Sequence, residues 1–327
     1  MSLELELVPQ KALVVRREKT VVAASWFGPG TLRPYIYPFV GPGERELTRC
    51  GHPRDPVGHS HHRSIWIGHH DVSGTSFWEE SPAAGRIEQT SATLLVREGR
   101  SVQARLECEW RAPDGRVLLN EKRTLSFHDL SRGELALDID TELRPVVPTK
   151  DGVITLGDTP FGLLGIRVAA TMSVAEGLGG LIQNSQEAEN EKGCLGQHAE
   201  WCDYSGPVPI TGATEASPAN AGTAPARVDP GAIAAEIAGV ACFEHPDNTP
   251  GDTLWHVRDD GWMGPCISKG EPRALAASDV LRVRWRILAH AGRPWEARVG
   301  ERYREWRQQA AGAGGKDGSG KRSPPKE

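Results

Sequence analysis

Residues 49–78 carry the side chains best suited to chemistry in this chain of 327 residues. Six of its eleven histidines fall in that span, interleaved with arginine and aspartate. Histidine moves protons near neutral pH and binds metal ions, whereas a purely solvated loop favours Lys, Glu and Ser. This density of imidazoles therefore predicts a functional site. The six are His52, His59, His61, His62, His69 and His70.

A short buried strand is predicted to present the second half of this span. Residues 64–68 are mostly β-branched and aromatic, which is typical of such a strand. Side chains alternate across a strand. If the strand continues, one face carries Ile65, Ile67, His69 and Asp71, and the other carries Trp66 and His70. The prolines and glycine of residues 53–58 predict an irregular loop before it, from which residues 59–63 project.

Three later stretches could complete a site with these histidines. They are Trp201-Cys-Asp-Tyr-Ser205, His245-Pro-Asp-Asn248 and Trp255-His-Val-Arg-Asp-Asp260. Acid–base catalysis needs a proton donor and an acceptor within hydrogen-bond reach of the substrate. A sugar site adds Arg or Asp contacts to hydroxyls and an aromatic platform. Structural alternatives stay open, because Asp203 could cap a turn and His245 could hydrogen-bond a loop.

The residues lead to the hypothesis of a carbohydrate-active enzyme that uses His/Asp acid–base chemistry on a sugar or keto-sugar derivative. Hydrolysis, elimination and epimerisation are all open. The predicted catalytic residues are His61, His62, His256 and Asp71. The predicted substrate contacts are Arg33, Tyr35, His59, Arg63, His69, Trp78, Asp203, Tyr204, His245, Asn248 and Arg258. A non-catalytic carbohydrate-binding protein is an alternative, and it would need aromatic residues more than histidines.

No cofactor is predicted, but a metal-dependent enzyme with a divalent ion in the histidine-rich span is a competing interpretation. His59 and His61 are spaced to point the same way from an extended chain, and His69 and Asp71 repeat that spacing. A neutral His pair with a carboxylate suits Zn, Fe or Mn. Against a metal, the sequence lacks the His-Glu-x-x-His spacing of zinc proteases and the glutamate that would complete a cupin-type site.

The composition and the motifs limit the classes of molecule that the protein is expected to bind. The net charge of -5 argues against a nucleic-acid binder, which needs a basic face. The sequence has neither Gly-x-Gly-x-x-Gly nor a Walker loop, so a nucleotide bound in those ways is not expected. It also lacks a long apolar run and a signal-peptide pattern at its start. The expectation is a cytoplasmic protein with reduced cysteines that binds a small-molecule carbohydrate, not nucleic acid or membrane.

The rest of the chain is typical of an all-β protein. Alternating apolar residues predict strands over 3–7, 12–15, 20–26, 86–96, 101–110, 117–127, 134–143, 162–169, 235–243, 254–262 and 280–289. Many strands at hairpin spacing indicate one large antiparallel β-sandwich over residues 1–311, of the mutarotase-like kind. A helix is predicted over 297–310, followed by a disordered tail over 312–327. Residues 171–232 look less regular, with a long loop over 214–230.

Seven motifs together resemble the bacterial proteins catalogued as "methane oxygenase PmoA", a PmoA-like family. They are Arg33-Pro-Tyr-Ile-Tyr-Pro, His59-Ser-His-His-Arg-Ser-Ile-Trp, His69-His-Asp-Val-Ser-Gly, Phe77-Trp78, Trp201-Cys-Asp-Tyr-Ser-Gly206, His245-Pro-Asp-Asn248 and Trp255-His-Val-Arg-Asp259. The resemblance runs from about Arg33 to His290. It implies a β-sandwich fold and carbohydrate chemistry, through the family's association with sugar-catabolic oxidoreductases and isomerases. His70 stands where the family commonly has Gly, so the resemblance leaves it outside the predicted site.

Overall fold

The computed structural model describes residues 2–51, 59, 61–147, 152–209, 235–248 and 253–314, with side chains as far as residue 310. In chain order the strands are β1 (Leu3–Val8), β2 (Ala12–Arg17), β3 (Thr20–Trp26), β4 (Tyr35–Gly41), β5 (Arg45–Glu46), β6 (Ile65–His69), β7 (Arg86–Val96), β8 (Glu98–Gly99), β9 (Ser101–Arg111), β10 (Val117–Asp129), β11 (Leu135–Pro145), β12 (Val153–Leu156), β13 (Gly162–Arg167), β14 (Leu181–Asn184), β15 (Trp201–Pro209), β16 (Ala235–Glu244), β17 (Leu254–Arg258), β18 (Trp262–Cys266), β19 (Arg273–Ala276) and β20 (Leu281–Ala291). The helices are α1 (Asn190–Cys194) and α2 (Val299–Gly314).

Two large antiparallel sheets confirm the predicted all-β sandwich. The first sheet has the strand order β17-β18-β13-β6-β4-β3-β2-β1-β8, with β5 paired to β4. The second sheet has the order β14-β15-β16-β20-β11-β10-β9-β7. Strands β12 and β19 form a separate small sheet. Strand β6, which follows the histidine-rich loop, therefore lies inside the first sheet with β13 and β4 as neighbours.

The core lies between the two large sheets. In β9, the alternate residues Val102, Leu106 and Trp110 are buried, as the sequence pattern predicts. They belong to one apolar cluster that also takes Ile65 and Ile67 of the first sheet. The inner faces of both sheets thus bury their apolar side chains against each other, which is the main stabilising contribution in a fold of this kind.

The outer face of the first sheet is apolar as well. A second cluster on that face contains Trp26, Tyr35, Trp66 and Trp262 from strands, together with Trp78. All five residues of β6 are buried, because its alternate side chains enter the core on one face and this aromatic cluster on the other. The alternation predicted for residues 65–67 is confirmed, and the first sheet around β6 has no solvated face.

Helix α2 covers the outer face of the second sheet. Val299, Tyr303 and Trp306 pack against Phe243 and Leu288, which confirms the predicted apolar face of the helix. The helix extends to residue 314, beyond the predicted end of the domain at residue 311, and residues 315–327 lie outside the described part of the chain. Within the described residues, no helix combines the length and apolar character that a membrane span requires.

The segment over 171–232, which looks irregular in sequence, contains β14, α1 and β15. Strand β15 is buried over most of its length and carries Gly206, Pro207 and Pro209, so it shows no alternating pattern. Residues 254–262, predicted as one strand, form the hairpin β17–β18, and Gly261 takes a φ of 101° in its turn. The predicted loops over 53–58 and 214–230 lie outside the described residues.

One carboxyl group is buried where β16 ends. Glu244 accepts hydrogen bonds from Asn248 Nδ2 at 2.8 Å, Thr253 Oγ1 at 3.2 Å and Trp285 Nε1 at 2.9 Å. Burial raises the pKa of Glu244 to about 7, although the three donors partly offset that effect. This carboxyl therefore takes up a proton near neutral pH without unfolding of the protein.

We expect Glu244→Gln to remove a pH-dependent part of the stability. Because the folded-state pKa lies above the ordinary value, this contribution is present in acid and is lost as the pH rises through 7. The free energy of unfolding of the wild type, relative to that of the variant, should fall by about 2 to 3 kcal/mol between pH 5 and pH 8. Urea unfolding at both pH values measures it. Glu305→Gln, at an exposed position, serves as control. If the difference in free energy of unfolding between wild type and variant does not change with pH for either variant, the assignment is contradicted.

Candidate functional site

A cavity of about 300 Å³ opens on the outer face of the first sheet. Its histidines are His59, His61, His62, His70 and His256. The remaining wall consists of Trp78, Glu79, Phe161, Arg258, Asp260 and Trp262. These residues come from β17 and β18 and from loops next to β6 and β13. Since the four strands are neighbours in the first sheet, the strand order joins residues that are far apart in sequence.

Trp78 and Trp262 form the floor of the cavity, and Trp66 packs against both. The rings of Trp66, Trp78 and Trp262 lie with their centroids 5.2 to 5.4 Å apart. The His62 ring stacks against Trp66 at 5.2 Å and against Trp262 at 5.0 Å. Gly165 on β13 leaves room for them, since a Cβ there would lie 2.7 Å from Trp262 and 2.8 Å from Trp66. The floor is therefore closely packed and fixes the position of His62.

His59, His61 and His62 form what we term the imidazole cluster. Each offers one ring nitrogen, and these atoms all lie within 4.8 Å of one another. The His62 ring centroid is 4.5 Å from that of His61 and 4.7 Å from that of His59. The Nδ1 atoms of His59 and His62 are buried without a hydrogen-bond partner. The loop before β6 thus converges three imidazoles on one point, an arrangement that could hold a metal ion.

The surroundings keep two of these imidazoles neutral. Burial lowers the pKa of His61 to about 4, and the positive charge of Arg33 adds to the effect. Burial, followed by the charge of Arg167, holds the pKa of His62 far below its usual range. A neutral imidazole can accept a proton but cannot donate one as an imidazolium acid. His62 lines the cavity, and its predicted role as a proton carrier stays a prediction.

Arg33 and Arg63, predicted to contact substrate, lie beneath the cluster and support it. Arg33 is buried, and its Nη2 donates to the His61 carbonyl at 2.6 Å. Burial lowers the pKa of Arg33 to about 10. Arg63 donates to both carboxylate oxygens of Glu80, at 3.0 and 2.8 Å, and Glu80 also lies 3.7 Å from Arg33. Tyr35 is buried in the aromatic cluster, with the Arg63 guanidinium 6.0 Å from its ring. None of the three lines the cavity.

Asp260 supplies a carboxylate to the cavity wall. The buried Arg167 of β13 donates to it from Nη1 at 2.8 Å and from Nη2 at 3.3 Å. Burial alone would raise the pKa of Asp260, but the hydrogen bonds and charge of Arg167 lower it below its usual value. The cavity therefore contains an ionised carboxylate in a fixed orientation, in the place that the sequence had assigned to Asp71.

His256 and Arg258 line the cavity, as predicted. The Trp262 indole Nε1 donates to His256 Nδ1 at 3.1 Å, so the neutral imidazole carries its proton on Nε2. Burial lowers the pKa of His256 to about 4. Arg258 is half exposed and forms an ion pair with Glu191 at 3.2 Å. His256 is thus a neutral group under physiological conditions, while Arg258 brings a positive charge to the rim.

The structure changes the roles expected for His69, His70 and Asp71, at the end of β6 and directly after it. His69 is buried on the core side, where its ring bonds the Ser268 hydroxyl at 2.8 Å and accepts the Asp71 amide at 3.1 Å. The Asp71 carboxylate accepts the Gly74 amide at 2.8 Å and so closes a turn. Strand alternation explains the outcome, because His70 faces the cavity and its two neighbours do not. The predicted site roles of His69 and Asp71 are wrong.

Four other predicted contacts belong to the second sheet. Asp203 and His290 form a fully buried pair at 2.6 Å, and the Tyr204 hydroxyl donates to the Asp259 carbonyl at 2.9 Å. His245 packs against Trp306 of α2, with ring centroids 5.3 Å apart. Asn248 bonds Glu244 and the backbone of β20. None of the four lines the cavity, although Tyr204 holds the backbone of the turn that carries Arg258 and Asp260. The aromatic–acid spacing that suggested a site also suits buried sheet positions.

The sequence interpretation missed Glu79, Phe161 and Trp262, left His70 outside the site, and gave Asp260 no role. Glu79 follows Trp78 directly, so the predicted Phe-Trp motif was a usable signal for it. Asp260 and Trp262 flank the β17–β18 turn, whose position only the Gly261 turn signal could have indicated. Phe161 precedes β13 in a loop without any chemical pattern. Its place in the cavity depends on the pairing of β13 with β6, which short-range patterns do not specify.

The fold and cavity define an all-β sandwich protein with a histidine-lined site on one sheet. The chain belongs to a family of unknown function, DUF6807, whose model matches residues 21–304. No curated protein matches it. Among solved structures, it is similar to one titled "Crystal Structure Analysis of HI1317", with 9% sequence identity, coverage of 88% of this chain and 99% of that chain, and a TM-score of 0.27. The family match includes every residue that lines the cavity.

Two adjacent glutamates provide a matched test of the support beneath the cluster. Glu80→Gln should lower the free energy of unfolding by about 2 to 3 kcal/mol, because it leaves the buried Arg33 without its carboxylate. Glu79→Gln should change it by less than about 0.5 kcal/mol, since Glu79 is half exposed and its pair with His70, at 3.3 Å, lies at the surface. Urea unfolding of both variants measures the difference. Equal effects would show that the Arg33–Glu80 contact contributes nothing.

Proposed function

We propose that this protein is an enzyme that acts on a carbohydrate or keto-sugar bound in the cavity. The observation that carries the proposal is that one cavity combines aromatic walls with imidazoles, a carboxylate and a guanidinium. The aromatic faces of Trp78, Phe161 and Trp262 suit the apolar faces of sugar rings, and polar groups between them can fix hydroxyls. A volume of about 300 Å³ matches a ligand of mono- or disaccharide size.

The groups in the cavity favour proton abstraction. Asp260 is ionised, and the neutral His61 and His256 are not imidazolium acids, so the wall offers proton acceptors in preference to acids. Elimination and epimerisation begin with removal of a proton from carbon beside a carbonyl, whereas glycoside hydrolysis needs a protonated acid. We therefore assign the base to Asp260 and the stabilisation of developing negative charge to Arg258.

Two further points support the proposal. The motifs that resemble PmoA-like proteins imply carbohydrate chemistry, and several of them contribute cavity residues. A cytoplasmic location is part of the proposal, and it agrees with the free thiols of all six cysteines. The aromatic wall equally favours a non-catalytic carbohydrate-binding protein, which is the second candidate. Chemical change of the ligand separates the two.

Phe161→Ala should weaken sugar binding. A thermal-shift screen of mono- and disaccharides and keto-sugars should identify a compound that raises the melting temperature through linkage. Loss of one aromatic face should then reduce its affinity about 3- to 10-fold. The control is Trp295→Ala, because Trp295 is 58% exposed and lies away from the cavity. A screen in which no sugar stabilises the wild type would overturn the proposal.

Exchange of carbon-bound hydrogen tests the catalytic part. In D₂O, the wild type should exchange a proton of a bound keto-sugar, as followed by NMR, because abstraction and return of that proton pass through solvent. Asp260→Asn should slow the exchange at least about 100-fold, the usual contribution of a general base. Binding of the same sugar without exchange or product would establish the non-catalytic candidate in place of the enzyme.

A further inference from the structure

We propose that His59, His61 and His62 bind one divalent transition-metal ion, of the zinc class, at the inner end of the cavity. The metal site shares the cavity of the proposed function, and this is the only way in which it rests on that function. The metal would act on whatever substrate the cavity binds. The proposal departs from the sequence interpretation, which kept a metal only as a competing interpretation and gave its ligands as His59, His61 and a carboxylate. In the structure the third imidazole comes from His62.

The geometry of the imidazole cluster needs little change to bind an ion. Its ring nitrogens lie within 4.8 Å of one another. Two imidazole nitrogens on a tetrahedral Zn²⁺ are separated by about 3.4 Å, given Zn–N bonds of about 2.0 to 2.1 Å. Small rotations of the more accessible His59 and His61 rings towards His62 close that gap. His62 itself is held by the two tryptophan rings and provides the fixed point.

Unpartnered nitrogens point to a missing ligand. His62 is 5% exposed, yet its Nδ1 has no hydrogen-bond partner, and the Nδ1 of His59 is likewise buried and unpartnered. A buried polar atom left unsatisfied costs about 1 to 3 kcal/mol, so native structures rarely keep two side by side. A metal ion is a partner for a neutral imidazole nitrogen, and one ion would satisfy both.

Carboxylates partly offset the positive charges around the cluster. Arg33 lies 3.7 Å from Glu80, which Arg63 shares, and Arg167 lies 2.8 Å from Asp260. Glu79 adds a further negative charge to the cavity wall.

The ligand type and the surroundings indicate the class of metal. Three imidazoles suit Zn, Fe, Ni or Cu more than Mg or Ca, which prefer oxygen ligands. Three protein ligands leave a coordination position open, and here it would face the cavity, as in catalytic zinc sites. Contacts behind the ligands hold them in place, because Arg33 binds the His61 backbone and the tryptophans pack on His62.

Metal titration tests the proposal without any substrate. The full-length protein, stripped with a chelator and dialysed, should bind one equivalent of Zn²⁺ by calorimetry. Co²⁺ in its place should give the intense visible absorption of a four-coordinate site. His59→Gln and His61→Gln should each weaken Zn²⁺ binding at least about 10-fold. His70→Gln is the matched control, because it removes an imidazole from the same cavity outside the cluster, and it should change the affinity less than about twofold.

The outcomes distinguish this inference from the proposed function. Failure of the stripped wild type to bind one equivalent of Zn²⁺, or an equal loss in His70→Gln, would overturn the metal site. If a sugar then binds and turns over in the presence of chelator, the proposed function stands without the metal. Binding of one equivalent that depends on His59 and His61 supports the metal site, even if no sugar in the screen stabilises the protein. Circular dichroism of each variant confirms that lost binding is not lost folding.

Discussion

The packing of the His62 ring against Trp66 and Trp262 is the contact on which the rest of the site depends. It attaches the side of the loop before β6 to the outer face of the first sheet, and the Gly51 amide, which donates to the His62 carbonyl at 2.6 Å, holds its backbone. It also excludes water from the imidazole, so His62 stays uncharged. A protonated ring would bring a desolvated charge into the aromatic cluster. Position and protonation state therefore follow from the same contact.

Ion pairs that involve two buried arginines, Arg33 and Arg167, support the site from within the protein. Glu80 is shared by Arg63 and Arg33, and Asp260 is bound by the buried Arg167. In a poorly solvated environment each charge depends strongly on its partner, and removing one partner is costly. These ion pairs hold two parts of the site in place. One is the backbone of the imidazole cluster, and the other is the ionised Asp260 carboxylate. The arginines of the site thus act mainly on protein groups.

Sequence patterns were sufficient for the fold class and for the centre of the site, and insufficient for its rim. Strict alternation identified β9 and β20, and the excess of histidine identified His59, His61 and His62. The face of each side chain around β6 also followed from alternation, yet the site was assigned to the face of His69 and Asp71, and His70 on the opposite face was left out. Choosing between them required knowing that the first sheet buries its Ile65 face against the second sheet. That is a long-range property, as is the pairing that brings β13, β17 and β18 beside β6.

The burial of the first sheet on both faces has a consequence for how the cavity can change during evolution. Trp66 packs against Trp78 and Trp262 of the cavity floor, while Ile65 and Ile67, its neighbours in β6, belong to the interior. No hydrated layer separates the two environments, since they share one strand. A change of volume in the interior would shift the backbone of β6 and with it the shape of the cavity. Residues that never meet a ligand are thus among those that decide which ligands enter.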